Sequence, residues 1–279
     1  MYFRKYFSKK VSLLCTFLFV LFVNFANAQN VTTNSGSGLA ATYPDLASAV
    51  TALNAATITS PVVITLSGNE TAPTNGYYIT ATGTSTNTIT IQGNSSTITA
   101  PVNNAGGNMD AVFKIVGGDY ITIQTFSIQE NSANTVIATG ATNTATEAGV
   151  LIIHASATDG AQNNTIQNNS ISLNAAFPNS VGILSTSAST TDATGANNAG
   201  DATASSGTNS YTKVYGNTIS GVAMGMLFIC PPLTATVNET GIDVGGTSAA
   251  TANTVSFGCA TATSGPWNRA STTSVGGIC

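Results

Sequence analysis

The 279-residue chain is 42% hydrophobic yet only 6% charged, with 7 basic and 11 acidic residues. It has too few Lys and Arg to grip a phosphate backbone or an anionic membrane, which excludes nucleic acid as a partner. Its apolar content also excludes a disordered chain, which pairs low hydrophobicity with high net charge.

At the N-terminus Arg4, Lys5, Lys9 and Lys10 precede an apolar run from Val11 to Phe25 and the triplet Ala26-Asn27-Ala28. A positive head, an apolar middle and a small-residue cleavage site predict a secretory signal peptide over residues 1–28 rather than a membrane span. Cys15 lies inside the run without the small residues that lipid attachment requires. With the leader removed, only Lys114, Lys213 and Arg269 carry positive charge. Cys230, Cys259 and Cys279 then remain, an odd number for an exported chain. A cysteine as last residue leads to the expectation of a truncated C-terminus. Cys230 and Cys259 are a candidate disulfide, although sequence alone does not show that their sulfurs meet. None of the spacings resembles a zinc site.

In segment 29–60, Leu46, Ala49, Val50 and Leu53 recur at offsets of three and four, behind Pro44-Asp45 and ahead of Asn54. That pattern predicts one short amphipathic helix. Runs of strand length follow at Pro61 to Leu66, Tyr77 to Ala81, Thr88 to Ile91, Ala111 to Val116 and Tyr120 to Ile128, most of them alternating and bounded by Gly or Asn.

Repetition is the more informative signal over 61–279. Ile123-Gln124-Thr125-Phe126-Ser127-Ile128, Ile166-Gln167-Asn168-Asn169-Ser170-Ile171 and Val214-Tyr215-Gly216-Asn217-Thr218-Ile219 align without gaps, and Asn253-Thr254-Val255-Ser256 repeats their ends. Gly149-Val150-Leu151, Gly182-Ile183-Leu184 and Gly225-Met226-Leu227 form a second recurring unit. Imperfect repeats of short strands predict a solenoid, because each strand must stack on its copy to bury its apolar face. Eight to ten passes follow if each uses about 25 residues. Asn169 and Asn217 are candidates for an amide ladder at a turn. The stretch 185–210 has almost no large apolar residue and is read as a long polar loop.

The helix around Leu46, Ala49, Val50 and Leu53, followed by Val62-Val63-Ile64-Thr65-Leu66, Thr88-Ile89-Thr90-Ile91 and Gly118-Asp119-Tyr120-Ile121-Thr122-Ile123, resembles the opening of secreted right-handed parallel β-helix proteins of the pectin-lyase-like superfamily. Large surface proteins exported by type IX secretion are the most similar members. The resemblance covers roughly residues 40–260 and implies an all-β solenoid whose N-terminal helix caps the first coil. It specifies fold far better than activity. The C-terminal sorting domain of that export route is not in the sequence.

Polysaccharide lyases and hydrolases share that superfamily, so the chemistry has to be sought in the residues. A lyase of this fold uses a Lys or Arg base beside acids, and alternation turns Lys114 and Lys213 outward, where a solvated lysine is the ordinary reading. A hydrolase uses paired carboxylates, whereas Asp110, Asp119, Glu130, Glu147 and Asp159 are scattered along the chain. Asp119, after Gly117-Gly118, reads as a turn aspartate capping backbone amides. His154, the sole histidine, follows Leu151-Ile152-Ile153 and reads as structural. Calcium at Asp110 or Asp119 fits the residue types, but no ligand spacing marks a site. Ice binding would need a regular T-x-T array, and Thr88-Ile89-Thr90 with Thr97-Ile98-Thr99 is too little. No residue is therefore assigned a catalytic, cofactor-binding or metal role. The expected function is non-catalytic adhesion or glycan binding outside the cell, by a chain without a membrane span after leader removal. The alternative is a polysaccharide lyase or glycoside hydrolase.

Overall fold

The computed structural model describes residues 30–102, 109–137, 143–188, 200–230 and 237–256. The leader, Cys259, Arg269 and Cys279 lie outside them, and with Cys259 so does the Cys230–Cys259 disulfide.

Among the described residues the chain is mostly short strands in three parallel sheets, with a single α-helix, Leu46–Ala55. Sheet I contains Val62–Leu66, Ile89–Gln92, Ile121–Gln124, Thr165–Gln167, Lys213–Tyr215 and Asp243–Val244. Sheet II contains Glu70–Thr71, Thr97–Thr99, Ser127–Gln129, Ser170–Ser172, Thr218–Ser220 and Thr254–Ser256. Sheet III contains Tyr77–Ile79, Ala111–Val116, Ala148–Ile153, Val181–Thr186 and Met224–Ile229. The chain visits the sheets in that order on every pass, so each strand pairs with its equivalent from the pass before. Passes are longer and fewer than the repeats suggest: 27 residues separate Thr65 from Gln92, and 48 separate Asn169 from Asn217. No helix among the described residues is long and apolar enough to cross a membrane.

Pairing in register turns the sequence repeats into columns. Ile64, Ile91, Ile123, Ile166, Val214 and Val244 stack in sheet I. Ile98, Ile128, Ile171, Ile219 and Val255 stack in sheet II. Ile128, Ile171 and Ile219 are wholly inaccessible. They also account for the repeated glycines of sheet III. A Cβ at Gly149 would stand 2.6 Å from Ile171 Cγ2, and one at Gly182 would stand 2.5 Å from Ile219 Cγ2. Ile171, Ile219 and Val255 each pack directly onto sheet III backbone, and any side chain there would displace them.

The run Tyr120 to Ile128 does not form one strand, as its composition suggests. It breaks at a corner where Thr125, Asn168 and Gly216 adopt left-handed φ values of 60°, 55° and 62°. The next position holds the predicted ladder. Asn169 donates from its side chain to Asn217 Oδ1 at 3.1 Å, and Asn217 donates likewise to Asn253 Oδ1 at 3.0 Å. Each amide also binds backbone: Asn169 Oδ1 accepts from Phe126 N–H, and Asn169 Nδ2 donates to Ile123 O. One pass earlier Phe126 takes the ladder position, its ring 5.1 Å from Phe113, which lies 5.1 Å from Tyr77.

The first pass is closed at its open side. The strand Val31–Thr33 pairs antiparallel with Val62–Leu66, covering the sheet I edge that would otherwise template aggregation. The helix buries Leu46, Ala49, Val50 and Leu53 as predicted, and Asp45 accepts from Ser48 N–H at its start. Glu70 accepts from Leu46 N–H, and Asn54 bonds Tyr78 O, Thr80 N–H and Ala81 N–H. The polar stretch 185–210 starts inside this frame, because Ser185 and Thr186 belong to the strand Val181–Thr186 and are buried. Asn209 also lies inside, donating to Ile152 O, Thr186 O and Ser185 Oγ.

Asn169→Ala should lower unfolding free energy by roughly 3 kcal/mol, because the buried Phe126 N–H and Ile123 C=O each lose a partner at about 1–3 kcal/mol. Asn168→Ala, at the exposed corner next door, should cost about 1 kcal/mol for its left-handed backbone. Equal denaturation midpoints for the two variants would contradict the ladder.

Candidate functional site

The charged residues converge where sequence spacing scatters them. Asp110 and Glu147 each immediately precede a sheet III strand, and Ala111 pairs with Ala148, which brings the two carboxylates to equivalent places on adjacent passes. Glu147 Oε2 accepts from the Asp110 backbone N–H at 2.8 Å. Lys114 stands on the outer side of the same sheet, paired with Leu151 and Tyr78. It faces outward as alternation requires, but it is not solvated, being only 8% exposed. Extending the Gly149-Val150-Leu151 repeat one pass backward, onto Val112-Phe113-Lys114, would have revealed the pairing. No glycine marks that pass, so the match is hidden.

The burial follows from a second apolar layer on the outer side of sheet III, made by Met109, Ala111, Val116, Ala148, Leu151, Ile153, Val181 and Leu184. Lys114 and the acids sit against it, and low polarity disfavours every charge there. Burial pushes the Glu147 carboxyl up to about 7, against the opposing hydrogen bond from Asp110 N–H. Burial likewise raises Asp110 to about 6, with the Lys114 ammonium opposing. The Lys114 ammonium is pulled below the usual lysine range by burial, with Asp110 and Glu147 opposing. Glu130 completes the group, accepting from Thr146 N–H at 2.9 Å, Thr146 Oγ1 at 2.8 Å and Asn134 Nδ2 at 2.9 Å. These contacts fasten the chain leading into Ala148–Ile153.

The remaining candidates are placed as follows. Asp119 Oδ1 accepts from Gln162 N–H at 2.6 Å, the amide-capping role its turn context predicts. His154 is fully buried, with Nδ1 3.2 Å from Gly207 O. Its Nε2 is 2.8 Å from Asp201 Oδ1 but outside hydrogen-bonding geometry. Lys213 is exposed, with Asp243 opposite it on the next strand.

The outward faces of sheets I and II have a different chemistry. In sheet II one column reads Thr97, Ser127, Ser170, Thr218, Thr254, and the other reads Thr71, Thr99, Gln129, Ser172, Ser220, Ser256. Every member is a hydroxyl residue except Gln129, and none is charged. The two T-x-T motifs of the sequence fall on different sheets, and Thr97-Ile98-Thr99 is continued by Ser and Thr. In sheet I, Thr90, Thr122 and Thr165 form one column. Beside it runs an amide ladder, in which Gln167 donates to Gln124 Oε1, Gln124 to Gln92 Oε1 at 2.9 Å, and Gln92 to Thr65 Oγ1 at 3.0 Å.

The carboxyls of Asp110 and Glu147 hold protons more tightly folded than unfolded. Their contribution to stability is therefore fully present below about pH 4, the unfolded carboxylate range, and is lost as pH rises through 6 and 7. Melting temperature should fall across pH 5–8, Glu147→Gln should flatten that slope, and Lys114→Met should steepen it. A wild-type melting temperature constant over this window would refute the cluster. No family model matches the chain, and no curated protein or solved structure matches it.

Proposed function

We propose that this chain is a secreted, non-catalytic right-handed parallel β-helix that binds neutral glycan outside the cell or at its surface. The observation that carries this reading is the pair of outward faces, where uncharged hydroxyl and amide side chains repeat in register from pass to pass. Strands about 4.8 Å apart present these groups as a regular grid. Such a grid can hydrogen-bond a polymer at many places at once, so weak contacts add to useful avidity. An uncharged grid favours an uncharged partner, because burying an unpaired carboxylate against it would be costly.

The fold reading draws support from the three-sheet parallel stack and from the helix packed on the first pass. Kinship with pectin-lyase-like surface proteins exported by type IX secretion is part of the same proposal, and the leader-like N-terminus supports the export.

Glycoside hydrolysis is the second reading, favoured by the Asp110–Glu147 pair and its raised carboxyls. The bond that Glu147 accepts from the Asp110 backbone N–H favours the binding reading instead.

The mature protein should be retained on at least one neutral polysaccharide from a panel of cellulose, xylan, mannan and chitin. Retention should be equal at 0.15 M and 1 M salt, since no ion pairs are screened, and no reducing ends should be released. Failure on every neutral polymer, or salt-labile retention, would overturn the binding reading. Release of reducing ends that is lost in Glu147→Gln would install the hydrolase in its place.

A further inference from the structure

Sheet I ends in side chains unlike the rest of its face. Tyr211, Lys213 and Tyr215 alternate outward on one stretch of chain, with Thr212 and Val214 buried between them. Lys213 pairs with Asp243 on the following strand, and Tyr215 donates its phenol to Asp243 Oδ2 at 2.6 Å. The Tyr211 ring lies against the backbone of Gly241, just before that strand. A Cβ at Gly241 would stand 2.4 Å from Tyr211 Cδ1, and one at Gly246 would stand 3.4 Å from Tyr215 Cε1. One aromatic ring thus rests on bare backbone, and a second, half-buried, is held by Asp243 beside Lys213.

The corner at Tyr211 does not need a tyrosine. Its φ is 63°, and the same corner is made by Tyr120 at 55° and Asn163 at 57° on the two passes before and by Gly241 at 69° on the pass after. Asn and Gly adopt left-handed backbone readily, whereas a bulky residue there is an outlier. Tyr211 is nonetheless 49% exposed, so the core does not require it either. Tyr120 is half-buried at the same corner whereas Tyr211 stands exposed, so the feature that points to recognition is an exposed ring beside Lys213 and Asp243.

We propose that Tyr211, Lys213, Tyr215 and Asp243 form a saccharide subsite that anchors one end of a neutral polysaccharide lying along sheet I. The inference rests on the glycan-binding reading above and assigns its strongest contact. A pyranose ring has an apolar C–H face and a rim of hydroxyls. The tyrosine faces match the first, and the carboxylate and ammonium match the second as acceptor and donor. Because Lys213 and Asp243 cancel, an anionic sugar would meet the carboxylate and a cationic one the ammonium, which selects a neutral ligand. Beyond the subsite, the columns of Thr165, Thr122 and Thr90 and of Gln167, Gln124 and Gln92 continue in register for the rest of the polymer.

Titration calorimetry of the mature protein with cello-, xylo- and manno-hexaose tests the assignment, with thermal melting as the check on folding. Tyr211→Ala should weaken the binding hexaose at least tenfold at an unchanged melting temperature, and Asp243→Asn should weaken it several-fold. Tyr211→Phe keeps the ring and should stay within about threefold of wild type, close to one hydrogen bond in value. Tyr78→Ala, which removes a 42% exposed tyrosine on sheet III, should bind like wild type. If wild type binds a hexaose and Tyr211→Ala binds it equally, the subsite is wrong while the glycan-binding reading stands. If wild type binds neither the hexaoses nor any neutral polymer, both fall.

Discussion

Every other feature of this chain follows from the fact that a three-residue strand cannot bury its apolar face alone. Ser127–Gln129 or Ser170–Ser172 contributes one inward isoleucine, and that side chain is shielded by its equivalents above and below and by the sheets that face it. Register is therefore strict, since a one-residue slip would send Ile171 outward and bring Ser170 or Ser172 into the column. The same dependence explains why the glycines of sheet III recur with the isoleucines of sheet II, because the two form one contact seen from opposite sides. It also explains the closure of the first described pass, where Val31–Thr33 and the helix cover the edge and core that a neighbouring pass would otherwise cover.

Corners are the second requirement, and they are met by polar chemistry. The backbone has to turn sharply between sheets I and II while its N–H and C=O groups stay paired, because each orphan left inside would cost about 1–3 kcal/mol. Asn169 and Asn217 satisfy backbone and each other at once, which an aliphatic residue at that position could not do. Phe126 shows the alternative solution. It gives up the amide and gains aromatic contact with Phe113, which is feasible because Gly93 on the preceding pass leaves room for the ring.

The repeats were legible because columns demand similar residues at similar places. The aligned triplet ending in Ile128, Ile171 and Ile219 stacks as read, as do Asn169 and Asn217. The corner inside Tyr120 to Ile128 was not legible, since Thr125 adopts a backbone that its composition does not announce. The environment of Lys114 was hidden for another reason. Alternation gives a side chain's direction correctly, but only the second apolar layer on sheet III makes outward mean buried. Polar residues inside, such as Ser185 and Asn209, have the composition of a loop, because the hydrogen bonds that hold them depend on partners far away in sequence.

The use this chain makes of its carboxylates bears directly on what it does. Asp45 accepts from Ser48 N–H, Glu70 from Leu46, Asp119 from Gln162, Glu130 from Thr146, Glu147 from Asp110, Glu239 from Asn209 and Asp243 from Gly246. These amides belong to loops, corners and a helix start, where the sheet ladders supply no partner. A carboxylate committed to a backbone N–H is poorly placed to move a proton onto a glycosidic oxygen, which requires a group free to reach the substrate. Acids employed as amide acceptors thus leave most of the broad strand faces uncharged, and at Asp243 the same habit steadies a carboxylate that also accepts from the Tyr215 phenol. On the proposed reading, a surface built this way would recognise by repetition along its faces and discriminate at the Tyr211 end of sheet I.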